Sequence, residues 1–157
     1  MNRSTSFVLY LFLISTIITA DQAAKRWALA NLNNGTDVPF NSWCNFSLAT
    51  NRGVSWSLFS SQSNFGFYIL TLIISIIIMA FALYAVIKHL NKAPIYFESF
   101  VIGGAISNVI DRILHNFVID FIDLHMGVWH WPTFNIADIF VVIGVLGVLF
   151  KELRKKS

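Results

Sequence analysis

Four long apolar stretches alternate with shorter polar segments along the sequence. A helix needs about 20 mainly apolar residues, at about 1.5 Å each, to cross the hydrocarbon layer of a bilayer. The fourth stretch is long enough only if Asn135 and Asp138 lie within it. The pattern predicts an all-α polytopic membrane protein, a single membrane domain over residues 1–157. Its four transmembrane helices are predicted at about residues 5–24, 65–87, 93–113 and 132–150.

The distribution of basic residues indicates how these helices are oriented. Four spans place both termini on one side, together with seven Lys and Arg residues, against four on the other side. The positive-inside rule then predicts cytoplasmic termini and outer segments at about 26–64 and 114–131. One alternative stays open, because Arg3 followed by an apolar run ending at Ile18-Thr19-Ala20 is similar to a cleavable signal peptide. Cleavage there would leave three spans.

The first outer segment carries the signal of a β-hairpin. Two alternating runs, Phe46–Leu48 and Val54–Leu58, flank the turn-forming residues Asn51 and Gly53. We expect a small β-hairpin or sheet subdomain on the outer membrane face. The five tryptophans suit the headgroup layer beside it; they are Trp27, Trp43, Trp56, Trp129 and Trp131.

Composition agrees with lipid as the main solvent. Charged residues make up 12% of the chain and hydrophobic residues 56%, whereas about a quarter of a soluble domain is charged. A soluble chain of this kind would expose large apolar patches. The net charge of +3 is too small and too dispersed to favour nucleic acid. Membrane lipids are therefore the expected surroundings.

The chain has only eight acidic residues, so each can be considered in turn. Glu98 lies close enough to the cytoplasmic end of its span to snorkel, and Asp37 and Glu152 lie in solvent-facing segments. The other five acids fall at the outer ends of the spans or just beyond them; they are Asp21, Asp111, Asp120, Asp123 and Asp138. Convergence at one depth makes them candidates for a shared function.

Sequence neighbours divide these five acids into two groups. Asp21 and Lys25 are four residues apart and can pair on one helix face, and Asp111 is followed by Arg112. A cationic neighbour suits a structural role. Asp120 and Asp138 instead lie among apolar residues, which disfavours the ionised form.

Two such carboxyl groups facing one site could hydrolyse a peptide bond. One would act as a base toward water while the other acts as an acid toward the carbonyl. Spacing alone leaves alternatives open: Asp123 could replace Asp120, or both acids could simply accept hydrogen bonds from helix-end amides.

Small residues in the third span predict close helix packing. Gly103 and Ser107 have small-xxx-small spacing, and Gly104 is four residues before Asn108, so Asn108 would point into the bundle.

Taken together, five blocks resemble the lipoprotein signal peptidase (signal peptidase II) family over nearly the whole chain. In order they are Asp21-Gln-Ala-Ala-Lys25, Asn51-Arg-Gly53-Val-Ser-Trp-Ser-Leu-Phe59, Gly103-Gly-Ala-Ile-Ser-Asn108-Val-Ile-Asp111-Arg112, Val118-Ile-Asp120-Phe121 and Phe134-Asn135-Ile-Ala-Asp138. One departure is Ser107, where the family usually has glycine.

The resemblance implies an intramembrane aspartyl endopeptidase with Asp120 and Asp138 as catalytic residues. It also implies supporting roles for eight residues: Asp21, Lys25, Asn51, Gly53, Asn108, Arg112, Asn135 and Ala137. The implied substrates are diacylglyceryl-modified prolipoproteins, cut on the N-terminal side of the modified cysteine. The implied location is the bacterial cytoplasmic membrane, with the active site at its outer side.

Other chemistries receive less support from the sequence. The four histidines lack metal-ligand spacing such as HExxH. We therefore expect no metal or other cofactor. Cleavage that is insensitive to chelators would exclude a metalloprotease. Cys44 has no base nearby in sequence and is interpreted as inert. The main alternative is a small transporter or proton relay using the same carboxylates, which should place acids at successive depths.

Overall fold

A computed structural model describes residues 3–33, 35–53 and 63–156. Each predicted span contains a helix, although the ends differ from those predicted. The helices are α1 Arg3–Asn31, α2 Asn64–Leu90, α3 Tyr96–His115 and α4 Ile136–Lys156.

Two of the helix ends have a clear local cause. Pro94 disfavours a helical residue before it, and α3 begins two residues after this proline. α4 begins at residue 136 rather than 132 because the preceding chain pairs with a strand: Phe134 exchanges backbone hydrogen bonds with Ile122 at 3.0 and 2.8 Å.

Length and hydropathy identify two helices, α1 and α2, as able to cross a membrane within the described residues. α1 has 29 residues and α2 has 27. α3 and α4 carry more polar residues, including Asn108, Asp111 and Arg112 near the end of α3 and Asp138 in the first turn of α4.

An antiparallel sheet with strand order β1-β2-β3-β4 lies against the helices. Its strands are β1 Val38–Asn41, β2 Cys44–Asn51, β3 Val118–Met126 and β4 Trp129–His130. The predicted run Phe46–Leu48 lies in β2, which pairs with both β1 and β3. The second run of the predicted hairpin, Val54–Leu58, lies outside the described residues, as does Trp56. The register places Ala49 opposite Asp120, so β2 and β3 deliver Asn51 and Asp120 to the same end of the sheet.

Glycines on α3 allow two other helices to approach it closely, as the small-residue spacing predicted. A Cβ atom on Gly103 would meet Ile17 of α1 at 3.2 Å, and one on Gly104 would meet the Ala137 carbonyl of α4 at 2.4 Å. α4 also contributes a glycine to its contact with α3: a Cβ atom on Gly144 would lie 2.7 Å from the Phe97 carbonyl. α3 is therefore the central helix.

Glu98 is buried, whereas the sequence predicted that it would snorkel to the membrane surface. It is 1% exposed and does not snorkel, because Lys88 of α2 reaches it inside the bundle and donates a hydrogen bond. The same ammonium lies 3.4 Å from Glu152 of α4. One buried lysine thus connects α2, α3 and α4 at the end of the bundle where the chain termini lie.

Candidate active site

A buried lysine also organises the opposite end of the bundle. Lys25 Nζ lies 2.6 Å from Asp21 Oδ2 and 2.8 Å from Asp111 Oδ2, and all three side chains are at most 1% exposed. The predicted pairing of Asp21 with Lys25 is confirmed. Asp111 has Lys25 as its cation rather than Arg112, because successive residues on a helix point about 100° apart and Arg112 faces elsewhere.

The carboxylates of Asp21 and Asp111 also accept hydrogen bonds that hold neighbouring elements in place. Asp21 accepts a hydrogen bond from the Ala137 backbone amide at 2.9 Å, in the first turn of α4, and another from Ser107 Oγ at 2.7 Å. Asp111 accepts from the Ile119 backbone amide at 3.1 Å, in β3. The cluster around Lys25 therefore positions the two segments that carry Asp138 and Asp120.

Lys25 reaches Asp138 through Asn108. Its ammonium donates to Asn108 Oδ1 at 2.8 Å, and Asn108 Nδ2 donates to Asp138 Oδ1 at 2.9 Å. A lysine ammonium can only donate hydrogen bonds, so the oxygen of Asn108 must face Lys25. Its amide nitrogen is then directed at Asp138.

Asn135 contacts both aspartates. Asp138 Oδ2 accepts from the Asn135 backbone amide at 3.3 Å, and the Asp138 amide donates to Asn135 Oδ1 at 3.0 Å. This reciprocal arrangement is a capping box at the start of α4. Because the amide oxygen of Asn135 is used there, its nitrogen faces away and donates to Asp120 Oδ1 at 2.7 Å.

β2 and α3 supply the other polar contacts. Asn51 Nδ2 donates to Asp120 Oδ2 at 3.1 Å, while its oxygen accepts from the Gly53 amide at 2.9 Å. Arg112 donates to the Gly53 carbonyl at 2.7 Å. Gly53 is thus held from both sides, which sets the position of Asn51.

Asp120, which lies in β3 outside the helices, has a strongly raised pKa. Burial raises its pKa to about 7, and repulsion from Asp138 adds to this shift. Hydrogen bonds from Asn51 and Asn135 act in the opposite direction. A carboxyl group with a pKa near 7 can exchange a proton at neutral pH, as acid–base catalysis requires.

A cavity of about 610 Å³ opens beside the two aspartates. Its polar wall consists of Asn51, Asn108, Arg112, Asp120 and Asp138. The rest of the lining is mainly apolar, and includes Ile74, Ala105, Val118, Leu124, Trp131, Pro132, Phe134, Ile139, Val141, Val142 and Ile143. Such a cavity can hold an apolar segment while presenting one polar bond to the carboxyl groups.

Asp123, the alternative left open by the sequence, is buried but does not line this cavity. Asn45 donates to it at 3.2 Å, and His130 Nδ1 lies 2.8 Å away. Cys44 also lies apart from the cavity lining, and burial together with Asp123 raises the pKa of its thiol. A raised pKa disfavours the reactive thiolate, consistent with an inert cysteine.

The structure adds two side chains for which the sequence predicted no such contact. Gln22 donates to Asp111 Oδ1 at 2.7 Å, and the hydroxyl of Ser107 donates to Asp21. Serine at position 107 thus makes a hydrogen bond that glycine could not. Spacing indicated only that Ser107 is small, because its partner is 86 positions away in the sequence.

Comparisons with known proteins show which family and which fold the chain resembles. The family profile described as signal peptidase (SPase) II matches residues 13–154. A lipoprotein signal peptidase of Anaplasma phagocytophilum is 33% identical over 96% of this chain and 95% of its own length. The protein of the same name from Buchnera aphidicola is 38% identical over 92% of this chain and 93% of its own length. A solved structure described as a bacterial membrane enzyme has a TM-score of 0.75 and 27% identity, and the match covers 95% of this chain and 90% of the other.

Proposed function

The chain belongs to the signal peptidase II family, and from this premise we propose that Asp120 and Asp138 are its catalytic pair. Members of this family are aspartic-type peptidases, and the protein removes signal peptides from prolipoproteins. The observation that supports the assignment is Asn135, which hydrogen-bonds Asp120 through its side chain and Asp138 through its backbone at the wall of one cavity.

In the proposed reaction the two carboxyl groups share one proton. Asp120 carries it at rest, because burial and the neighbouring carboxylate raise its pKa to about 7. Asp138 is the ionised partner, since it lies in the first turn of α4, where the helix dipole favours negative charge. Asp138 takes a proton from water as the water attacks the scissile carbonyl, and Asp120 donates its proton to the carbonyl oxygen. The proton on Asp138 then passes to the amide nitrogen as the carbon–nitrogen bond breaks, and one hydroxyl of the tetrahedral intermediate returns its proton to Asp120, which restores the shared-proton pair.

The eight supporting residues have two proposed tasks. Asn51, Asn108 and Asn135 orient the carboxyl groups directly. The other five hold those asparagines and the two chain segments in place; they are Asp21, Lys25, Gly53, Arg112 and Ala137.

We propose that the substrate is a prolipoprotein carrying a diacylglyceryl group, cut on the N-terminal side of the modified cysteine. The apolar lining of the cavity suits a signal-peptide segment, and a lipid anchor would hold the scissile bond at the membrane surface. Membrane lipids are the surrounding partner, and no role for nucleic acid is proposed.

The proposed topology is one membrane domain with four spans, both termini in the cytoplasm and the site at the outer face of the bacterial cytoplasmic membrane. Seven basic residues on the terminal side against four on the other support this orientation. This topology can be tested by introducing single cysteines at exposed positions and labelling them with a membrane-impermeant reagent. Outer-side labelling at Lys92 would contradict it.

Isosteric substitutions test the catalytic pair. Asp120→Asn and Asp138→Asn should each reduce cleavage of a lipid-modified precursor by at least about a thousandfold, since neither variant can form the shared-proton pair. Asp123→Asn is the matched control, because Asp123 is also buried in β3 but does not line the cavity. It should retain cleavage close to that of the unmodified protein. Appreciable turnover by either of the first two variants would exclude the assignment.

A further inference from the structure

A second cavity, of about 400 Å³, lies at the opposite end of the helices from the active site. It is formed where the start of α1, the end of α2 and the start of α3 meet. Its lining includes Arg3, Ser6, Tyr10, His89, Lys92 and Tyr96. Arg3 and Asp21 are 18 residues apart on α1, which is about 27 Å along the helix. The cavity is therefore separate from the catalytic pair.

The lining of this cavity has the chemistry of an anion site. It combines two basic side chains with three hydroxyl groups and contains no carboxylate. The nearby acid Glu98 is buried and accepts a hydrogen bond from Lys88. Its negative charge is thus offset by a residue outside the cavity lining, and Arg3 and Lys92 face the cavity without an opposing acid among its lining residues.

Lys92 occupies a backbone position that is unfavourable for lysine. Its φ is 63°, in the left-handed region that is strained for a residue other than glycine. It follows the C-cap of α2, where its amide donates to the His89 carbonyl at 2.9 Å, and glycine is the usual residue at such a position. A lysine kept at a glycine position, with its side chain lining a cavity, points to a function for the ammonium group.

The start of α3 provides further donors. Its N-cap residue, Ile95, makes no side-chain hydrogen bond to the first turn, and Tyr96 at this end lines the cavity. Backbone amides at a helix N-terminus favour an anion. Together with the basic side chains of Arg3 and Lys92, they match the oxygens of a phosphate group.

Apolar side chains beside the cavity indicate the rest of the ligand. Phe7 and Leu90 are 42% and 54% exposed. The Phe7 ring lies 5.8 Å from His89, a lining residue, and the Leu90 carbonyl accepts a hydrogen bond from Arg3. A free phosphate would not use this surface, whereas acyl chains would cover it. We propose that the cavity binds the phosphate headgroup of an anionic phospholipid at the cytoplasmic surface of the membrane.

The test compares lipid retention by the full chain after extraction from nanodiscs with equal amounts of phosphatidylglycerol and phosphatidylcholine. Native mass spectrometry counts the lipids that remain bound. The unmodified protein should retain phosphatidylglycerol preferentially. Lys92→Gly should reduce this retention about tenfold, the effect of losing one charged hydrogen bond, while its melting temperature stays the same or rises because glycine relieves the backbone strain. Lys92→Arg, which keeps the charge, should retain the lipid.

Two controls separate a specific site from general charge. Arg154→Gln removes the same charge from an exposed residue near the C-terminus and should leave retention unchanged. Peptidase activity in detergent should be unaffected by Lys92→Gly, so this test is independent of the catalytic assignment. Equal retention of both lipids, or unchanged retention in Lys92→Gly, would overturn the proposal. A rise in melting temperature with inorganic phosphate as large as that with phosphatidylglycerol would assign the site to a free anion and exclude the lipid.

Discussion

Three asparagines determine which way the hydrogen-bond donors of the proposed active site point. An asparagine amide can present either a donor or an acceptor, and each of these is oriented by a partner on its oxygen. Lys25 orients Asn108, the Gly53 amide orients Asn51, and the Asp138 amide orients Asn135. Donors are thereby directed at the carboxyl oxygens before substrate arrives, so little reorganisation is needed during the reaction.

The pKa of Asp120 predicts the pH dependence of the enzyme. With a pKa of about 7, Asp120 is expected to lose its proton on the alkaline side of neutrality, which would leave the proposed pair without an acid. We expect kcat/KM to fall about tenfold per pH unit on the alkaline side. Asn51→Ala removes a donor that stabilises the ionised form of Asp120, so the fall should begin at a higher pH. Asn45→Ala, which removes a donor to Asp123 instead, should leave the profile in place.

At the scale of elements, the contact between α3 and α4 places Asp138. Gly104→Ala would put a Cβ atom 2.4 Å from the Ala137 carbonyl and 2.8 Å from Val141. α4 must then move at its first turn, which carries Asp138. We expect a loss of about 1 to 3 kcal/mol in stability and a drop in kcat of at least about tenfold.

Gly103→Ala is the matched control for this substitution. Its Cβ atom would face Ile17 and Ile14 of α1 at 3.2 to 3.3 Å, a contact that small shifts can relieve. Thermal unfolding and cleavage assays in detergent should show a smaller effect than for Gly104→Ala. An equal loss of kcat in both variants would mean that the α3–α4 contact does not position the site.

Across the whole molecule, one buried lysine joins the elements at each end of the bundle. Lys25 pairs with Asp21 and Asp111 at the active-site end, and Lys88 with Glu98 and Glu152 at the other. In a bundle surrounded by lipid, apolar burial adds little to helix association, so such polar contacts matter more. Both lysines therefore connect helices, and of the two only Lys25 contacts a residue of the proposed active site, Asn108.

Removing each lysine should separate stability from catalysis. Lys25→Met and Lys88→Met both leave buried carboxylates without a cation, which typically costs about 3 to 5 kcal/mol. Melting temperatures of both variants should fall. Only Lys25→Met should also lower kcat of the folded enzyme, because Asn108 loses the donor that orients it. A comparable fall in kcat for folded Lys88→Met would show that catalysis depends on bundle stability in general.

Much of this architecture could be predicted from the sequence because the relevant signals are local. Apolar runs of about 20 residues located the four helices, since a helix pattern extends over consecutive residues. The two glycines of α3 predicted close packing, which the structure confirms. The family resemblance, confirmed by the comparisons, singled out Asp120 over Asp123.

Other features could not be predicted because they depend on residues far apart in sequence. Lys25 and Asn108 are separated by 83 positions, and only packing of α1 on α3 brings them together. The same holds for Glu98, whose burial beside Lys88 replaced the expected exposure. The sequence by itself determined the helices, the family and the identity of the two candidate aspartates, because each is encoded in contiguous runs or short motifs. Only the tertiary structure decided which cation each acid pairs with, how the amides point and where the second cavity lies, since these follow from distances between separate elements.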